Sequence, residues 1–407
     1  MIIQDFKPKY LGLALVFLCL SSGNHVFAQD NETAYFSDVT EGSIPLDPKT
    51  HALDVALVDV NGDGALDAIF ALEMLPNRLY INDGNGNFTW MKDVFANENN
   101  DTEHVRVADM DNDGFADVIF VAEDNKTHEY YLGNGDGTFW NVSGRLLGKS
   151  EGNGLDIGDV NGDGLPDVVI GNTGEGARTF VWLNDPNKPG FLVDSPPGSI
   201  PDNMDEVQSV KLFDADGDGD LDMVLATEAP PSRLYFNDGK GKFTEQEDAL
   251  QTSEPLHSRE VIVFDADKDG KNDIFFANLT SNGGKKERNP TGRLFMNKGE
   301  GKFVDETDAR IPAYDFSTYA CNVIDFDRDG DLDIILSALK IPPFEAMQVQ
   351  ALKNDGSGRF SFATEEAIPK VTVERAWGID VGDVNGDKIP DLMIGAWGDQ
   401  VRLLLGK

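Results

Sequence analysis

One nine-residue pattern, D-x-[DN]-x-D-x-x-x-D, recurs seven times along this 407-residue chain. The copies are "DVNGDGALD" (59–67), "DMDNDGFAD" (109–117), "DVNGDGLPD" (159–167), "DADGDGDLD" (214–222), "DADKDGKND" (265–273), "DFDRDGDLD" (325–333) and "DVNGDKIPD" (383–391). Their first residues lie 50, 50, 55, 51, 60 and 58 positions apart. A near-constant spacing of this size marks a repeat architecture in which each copy belongs to one supersecondary unit.

Strand signals flank every copy. Four and two positions before it stand apolar pairs: Val55/Leu57, Val105/Val107, Leu155/Ile157, Val210/Leu212, Val261/Val263, Cys321/Val323 and Ile379/Val381. The intervening positions are mostly polar or small, which is the period-2 pattern of a strand. After the copy come buried-strand runs such as "DAIFAL", "DVIFVA" and "DMVLAT", then a third strand such as "RLYIND" (78–83) or "RLYFND" (233–238). A Gly-rich turn and a Phe-bearing fourth strand follow, as in "GNGNF" (84–88) and "GKGKF" (239–243). The pattern predicts an all-β fold, a seven-bladed β-propeller of four-stranded antiparallel blades. The last copy reaches only its third strand, "VRLLLGK" (401–407), while "AYFSDVT" (34–40) resembles a fourth strand such as "GKFVDET" (301–307). The N-terminal strand is therefore expected to complete the last blade and close the ring, with one propeller over residues 29–407.

The acidic motifs, the "NDGxGxF" signatures and the closing strand resemble the FG-GAP/VCBS repeat family, whose best-known members are the integrin α-subunit propellers. The resemblance spans about residues 34–407 and implies a calcium-binding loop on the hairpin between the first two strands of each blade.

The donor chemistry points the same way. Calcium takes six to eight oxygens from carboxylates, amides, carbonyls and water, and alternate positions of a tight loop turn three side chains inward. Positions 1, 3, 5 and 9 supply Asp59, Asn61, Asp63 and Asp67 in the first loop and Asp109, Asp111, Asp113 and Asp117 in the second. They supply Asp159, Asn161, Asp163 and Asp167 in the third, and Asp214, Asp216, Asp218 and Asp222 in the fourth. The remaining sets are Asp265, Asp267, Asp269 and Asp273; Asp325, Asp327, Asp329 and Asp333; and Asp383, Asn385, Asp387 and Asp391. Position 7 would offer its carbonyl, and glycine at position 6 permits a positive φ. Lys388 replaces that glycine in the last copy, so the 383–391 site is expected to bind Ca2+ most weakly of the seven. An EF-hand is excluded, because Phe70 stands where its twelfth-position Glu is needed and strands, not helices, flank the loop.

The chain holds 72 Asp+Glu against 34 Lys+Arg, a formal charge of −38. That field disfavours nucleic acid as a partner. Lys7 and Lys9 precede the apolar run 11–20, and "VFA" closes the polar stretch at Ala28. This is the pattern of a secretory signal peptide over 1–28, too short to span a bilayer. A secreted, monomeric protein is expected, at an extracellular, cell-surface or periplasmic location, with no transmembrane segment. Cys321 is the only cysteine after the leader, so no intrachain disulfide can staple the fold and metal ions are expected to take that role.

No H-E-x-x-H or C-x-x-C motif is present, and "GRLLGKS" (144–150) is one residue short of a phosphate loop. The face opposite the calcium loops is where a ligand is sought. Hairpin symmetry pairs Trp377 with Trp397 and Glu103 with Glu123 there, beside His104, Arg106 and Tyr319. A binding module for a glycan or protein ligand is the favoured reading. The alternative is a carbohydrate-active, lyase-like enzyme, which requires His104, Arg106, Tyr319 and the tryptophan pair to converge on one site.

Overall fold

The computed structural model describes residues 34–407 apart from 175–176, 230, 253, 282–286 and 342–343. The leader expected at 1–28 lies outside the described residues. Among the described residues the strands form seven antiparallel four-stranded units, the first and seventh joined into one eight-stranded sheet through Thr50↔Asp399 and His51↔Trp397. In the first, Thr50–Val58, Asp67–Leu72, Arg78–Asn82 and Phe88–Met91 follow in chain order. Equivalent units begin at Thr102, Gly152, Val207, Ser258 and Cys321. The seventh consists of Ala376–Gly382, Asp391–Asp399 and Arg402–Gly406, and its fourth strand is Phe36–Asp38 from the other end of the chain. The register Phe36↔Gly406, Ser37↔Leu405 and Asp38↔Leu404 is the closure that the sequence predicted.

Every residue of the second strand is buried in units one to five. Strand periodicity explains why both faces must be apolar. Ala68, Phe70 and Leu72 pack with Met393 and Leu403 of unit seven, whereas Ile69 and Ala71 pack with Val105, Val118 and Phe120 of unit two. The same sharing joins Ile119 to Ile170, Val169 to Leu225, Val224 to Phe276, Phe275 to Ile334 and Ile335 to Ile394. The core is thus a ring of wedges between neighbouring units, and unit one meeting unit seven closes it. Each fully buried Phe in a wedge contributes about 1.5–3 kcal/mol.

Unit six departs from the simple meander. Between its second strand, Asp333–Leu336, and its third, Gln350–Asn354, the chain forms Leu339–Lys340 and Glu345–Gln348, which pair with Val373–Glu374 in a separate three-stranded sheet. The regular repeat did not predict this insertion. No helix among the described residues is long and apolar enough to cross a membrane.

Candidate metal centres and the aromatic mouth

The seven acidic motifs all form the turn between first and second strands, with one hydrogen-bond scheme. The amide of position 6 donates to the position-1 carboxylate in every copy, at 2.8–3.1 Å. The amide of position 7 donates to the position-5 carboxylate at 2.8–3.0 Å. Lys388 keeps the position-6 bond with φ +69°, the left-handed conformation expected where the other copies have glycine. Position 4 is left-handed too, at Gly62, Asn112, Lys268 and Arg328 among others, a second constraint the sequence reading did not identify.

The ninth-position aspartates have a structural duty beyond ligation. Their side chains accept the amide of position 2 at 2.8–3.2 Å. They also accept an amide from the third strand at 2.7–2.8 Å. Asp67, Asp167, Asp222, Asp333 and Asp391 are fully buried and Asp117 and Asp273 nearly so. Burial outweighs those bonds and, with the neighbouring loop carboxylates, raises Asp67, Asp222, Asp273 and Asp391 to about 6 and Asp117, Asp167 and Asp333 to about 7.

Such clusters call for a cation. Three carboxylates converge within 4.8 Å at Asp109/Asp111/Asp117, Asp214/Asp216/Asp218, Asp265/Asp267/Asp269 and Asp325/Asp327/Asp333. The other three loops carry Asn61, Asn161 or Asn385 at position 3. Asp111, Asp267 and Asp325 each retain a buried Oδ1 with no hydrogen-bond partner, and an orphaned acceptor of this kind is costly unless a cation faces it. The donor set therefore fits calcium. In the sixth loop the Lys353 ammonium pairs with Asp327 and lies 3.3 Å from Asp329, a competing cation that the motif alone did not reveal.

Position 2 links each loop to the next unit. Val60, Met110, Val160, Ala215, Ala266, Phe326 and Val384 are buried in the wedge between their own unit and its successor. In five seams the position-2 carbonyl also accepts an amide hydrogen from the next unit's third-strand asparagine: Asn82, Asn184, Asn237, Asn297 or Asn354, at 2.7–3.0 Å. This is the work of the asparagine in the "ND" signature. An ion held by the loop would thereby stiffen a seam between blades.

At the opposite end, six first strands carry a bulge, at Leu53, Glu103, Asn153, Gln208, Arg259 and Trp377. Tyr319 holds the equivalent place in unit six. A bulge inserts one residue and re-aims its side chain, and here Glu103, Asn153 and Gln208 meet on Arg259 while Trp377 meets Tyr319. Arg259 donates to Glu103 and Asn153, each at 2.8 Å, and to Gln208, with its guanidinium 5.2 Å from the Tyr319 ring. Tyr319 stacks on Trp377 at 4.4 Å, Trp377 on Trp397 at 5.3 Å, and Trp397 on His51 at 4.8 Å. The expected Trp377–Trp397 pair exists, but each indole already has two stacking neighbours. An open indole face on which a sugar ring could lie flat is not what this stack offers.

His104 and Arg106 belong to a different group. His104 Nδ1 lies 3.1 Å and Arg106 Nη1 2.7 Å from one oxygen of Asp54. Burial pushes the Asp54 carboxyl up, but Arg106 and His104 outweigh it and hold it well below the usual carboxylate range. Arg106 and Asp54 line an axial cavity of about 380 Å³ together with Lys211, Glu260, Asn322 and Asp380. The five residues required by the enzyme reading thus divide between the aromatic stack at the mouth and a separate group around Asp54.

Comparison with known proteins agrees with this architecture. The FG-GAP-like repeat model matches residues 59–120, 119–170, 159–225, 214–276, 265–336 and 344–394. Cartilage acidic protein 1 of Xenopus tropicalis is 30% identical over 192 residues, and that of Mus musculus 28% over 193. Each alignment covers 46% of this chain and 28% of the relative, so the match spans less than a third of those proteins. Among solved structures, BBS1N, crystallised in complex with ARL6DN, superposes with a TM-score of 0.54 at 9% identity, covering 92% of this chain and 97% of that one. Raptor of Chaetomium thermophilum gives 0.51 at 12%, covering 92% and 29%. These structural likenesses speak to the β-propeller fold alone. Matched over most of its length by the repeat model, the chain belongs to the FG-GAP-like repeat family.

Proposed function

We propose that this protein is an exported, non-catalytic recognition module, in which calcium in the seven loops stiffens the seams and the opposite face engages a protein or glycan ligand. The observation that carries the reading is the asymmetric mouth. One side is an aromatic stack of His51, Trp397, Trp377 and Tyr319, and the other is polar, with Glu103, Asn153 and Gln208 gathered on Arg259. Aromatic and arginine side chains are the groups that dominate protein interfaces. The Trp377 indole N–H is buried without a hydrogen-bond partner. Because the indoles are already stacked, a protein ligand suits this mouth better than a flat-lying sugar.

The test probes arrays of extracellular proteins and of glycans with the chain from residue 29, loaded with calcium or stripped of it. The comparison variants are Trp397→Ala at the mouth and Trp140→Ala on the outer strand of unit two, where the indole is 67% exposed. Binding that needs calcium and is lost only in Trp397→Ala supports the assignment. Binding unchanged in Trp397→Ala sinks it, and cleavage of an arrayed glycan sinks the non-catalytic reading.

A further inference from the structure

Unit two carries a second carboxylate group at the end of its hairpin remote from the 109–117 loop. Asp101, Glu103 and Glu123 bring oxygens within 4.8 Å of one another, and none of them belongs to the repeated motif. Glu103 and Glu123 are the pair expected from hairpin symmetry, and Asp101 joins them because the Glu123 amide donates to its carbonyl at 2.9 Å.

The existing partners do not satisfy this group. Asp101 is 4% exposed; one oxygen accepts the Asp124 amide at 3.0 Å, and Oδ1 is buried with no partner. Glu103, 6% exposed, is bonded by Arg259 at 2.8 Å, and Glu123 accepts the Thr173 hydroxyl at 2.6 Å. The one guanidinium present pairs with Glu103 and leaves Asp101 and Glu123 without a cation in a site largely withdrawn from water, a lack that one divalent ion would supply. The same signature, convergent carboxylates with an orphaned buried oxygen, marks Asp111, Asp267 and Asp325 in the repeat loops.

We infer that Asp101, Glu103 and Glu123 form an additional divalent-cation site, of the calcium class, at the mouth of the ring. An all-oxygen donor set suits a hard cation, and neither histidine nor cysteine stands among the three. Burial raises Asp101 to about 6, with Glu73, Asp124 and Glu123 adding to the effect, and it raises Glu103 to about 8 against the pull of Arg259. Glu103 connects the site through Arg259 to Tyr319, and Glu73 accepts the Trp397 indole N–H. An ion there would set the charge of the polar side of the mouth directly, whereas ions in the repeat loops lie at the far end of the hairpins.

The test counts calcium by equilibrium dialysis of the chain from residue 29, unaltered and carrying Asp101→Asn with Glu123→Gln. It is paired with anomalous diffraction from crystals of the unaltered chain soaked in Mn2+ alone. The expected result is one ion fewer per chain in the variant, and an anomalous peak between the three carboxylates. An unchanged count in a folded variant overturns the inference. If the variant does not fold, the crystal decides: a peak at the carboxylates upholds the site, and peaks confined to the repeat loops overturn it.

Discussion

Removing calcium should reverse the sign of this protein's response to acid. The seven ninth-position aspartates titrate near 6 or 7 in the fold against an ordinary value of 3.8. In the metal-free chain the folded state therefore binds more protons than the unfolded state between about pH 4 and 7. Stability falls as pH rises through that window and is regained on acidification. For one group moving from 3.8 to 6, the linkage relation gives about 1.4 kcal/mol recovered between pH 8 and pH 5. Seven such groups will recover less than the sum, because aspartates in one ring share their seams. His128 opposes them: burial lowers it to about 4, so forcing a proton onto it costs about 2 kcal/mol over the same interval. Asp54, held low, loses its stabilising effect only below about pH 4 and stays out of the window. The net expectation for stripped protein is a melting temperature several degrees higher at pH 5 than at pH 8. Calcium-loaded protein should show the opposite slope, since protons then compete with the metal for the same oxygens. The assay is calorimetry on protein stripped at pH 8 and exchanged into calcium-free buffers, beside a calcium-loaded series. Parallel acid destabilisation of both forms would refute the reasoning, because the loop carboxylates would then be neither strained without metal nor relieved by it.

Within the fourth loop, Asp218→Ala should weaken calcium binding at that site by at least tenfold, while Asp220→Ala, whose main-chain amide rather than side chain enters the loop scheme, should change it little; equal losses in calcium titrations would show the ligand register to be wrong. Phe36→Ala removes a side chain 1% exposed from the wedge between units six and seven, and should cost about 3–5 kcal/mol in denaturant unfolding with the ring closure loosened. A cost below about 1 kcal/mol would mean that the Phe36–Asp38 strand does not hold the last unit. Arg402→Met should cost about 3–5 kcal/mol, because it strands buried Glu374 and unpairs Asp38 of that strand; adding Glu374→Gln should recover part of the loss, and no recovery would sink the pairing argument.

The sequence by itself determined the repeat, the strand order of each unit, the closing role of residues 34–40 and the acidic loops. Those features depend on local chemistry: period-2 apolarity selects strands, and a turn lined with carboxylates has a narrow range of uses. It also paired Trp377 with Trp397 and Glu103 with Glu123, since a hairpin places residues equidistant from its turn side by side. Only the tertiary structure decided what those pairs do. The bulges at Glu103, Arg259 and Trp377 aim side chains from units far apart in sequence at one axis, and periodicity within a strand carries no information about that convergence. Stacking by His51 and Tyr319 covered the indoles, and Asp54 gathered His104 and Arg106 into a group of their own, because contacts across a closed ring depend on which blades face one another. The ninth aspartate shows both levels at once. Its spacing announced a ligand, whereas its two hydrogen bonds, its burial and its raised pKa follow from a third strand and a neighbouring blade that no nine-residue motif can describe.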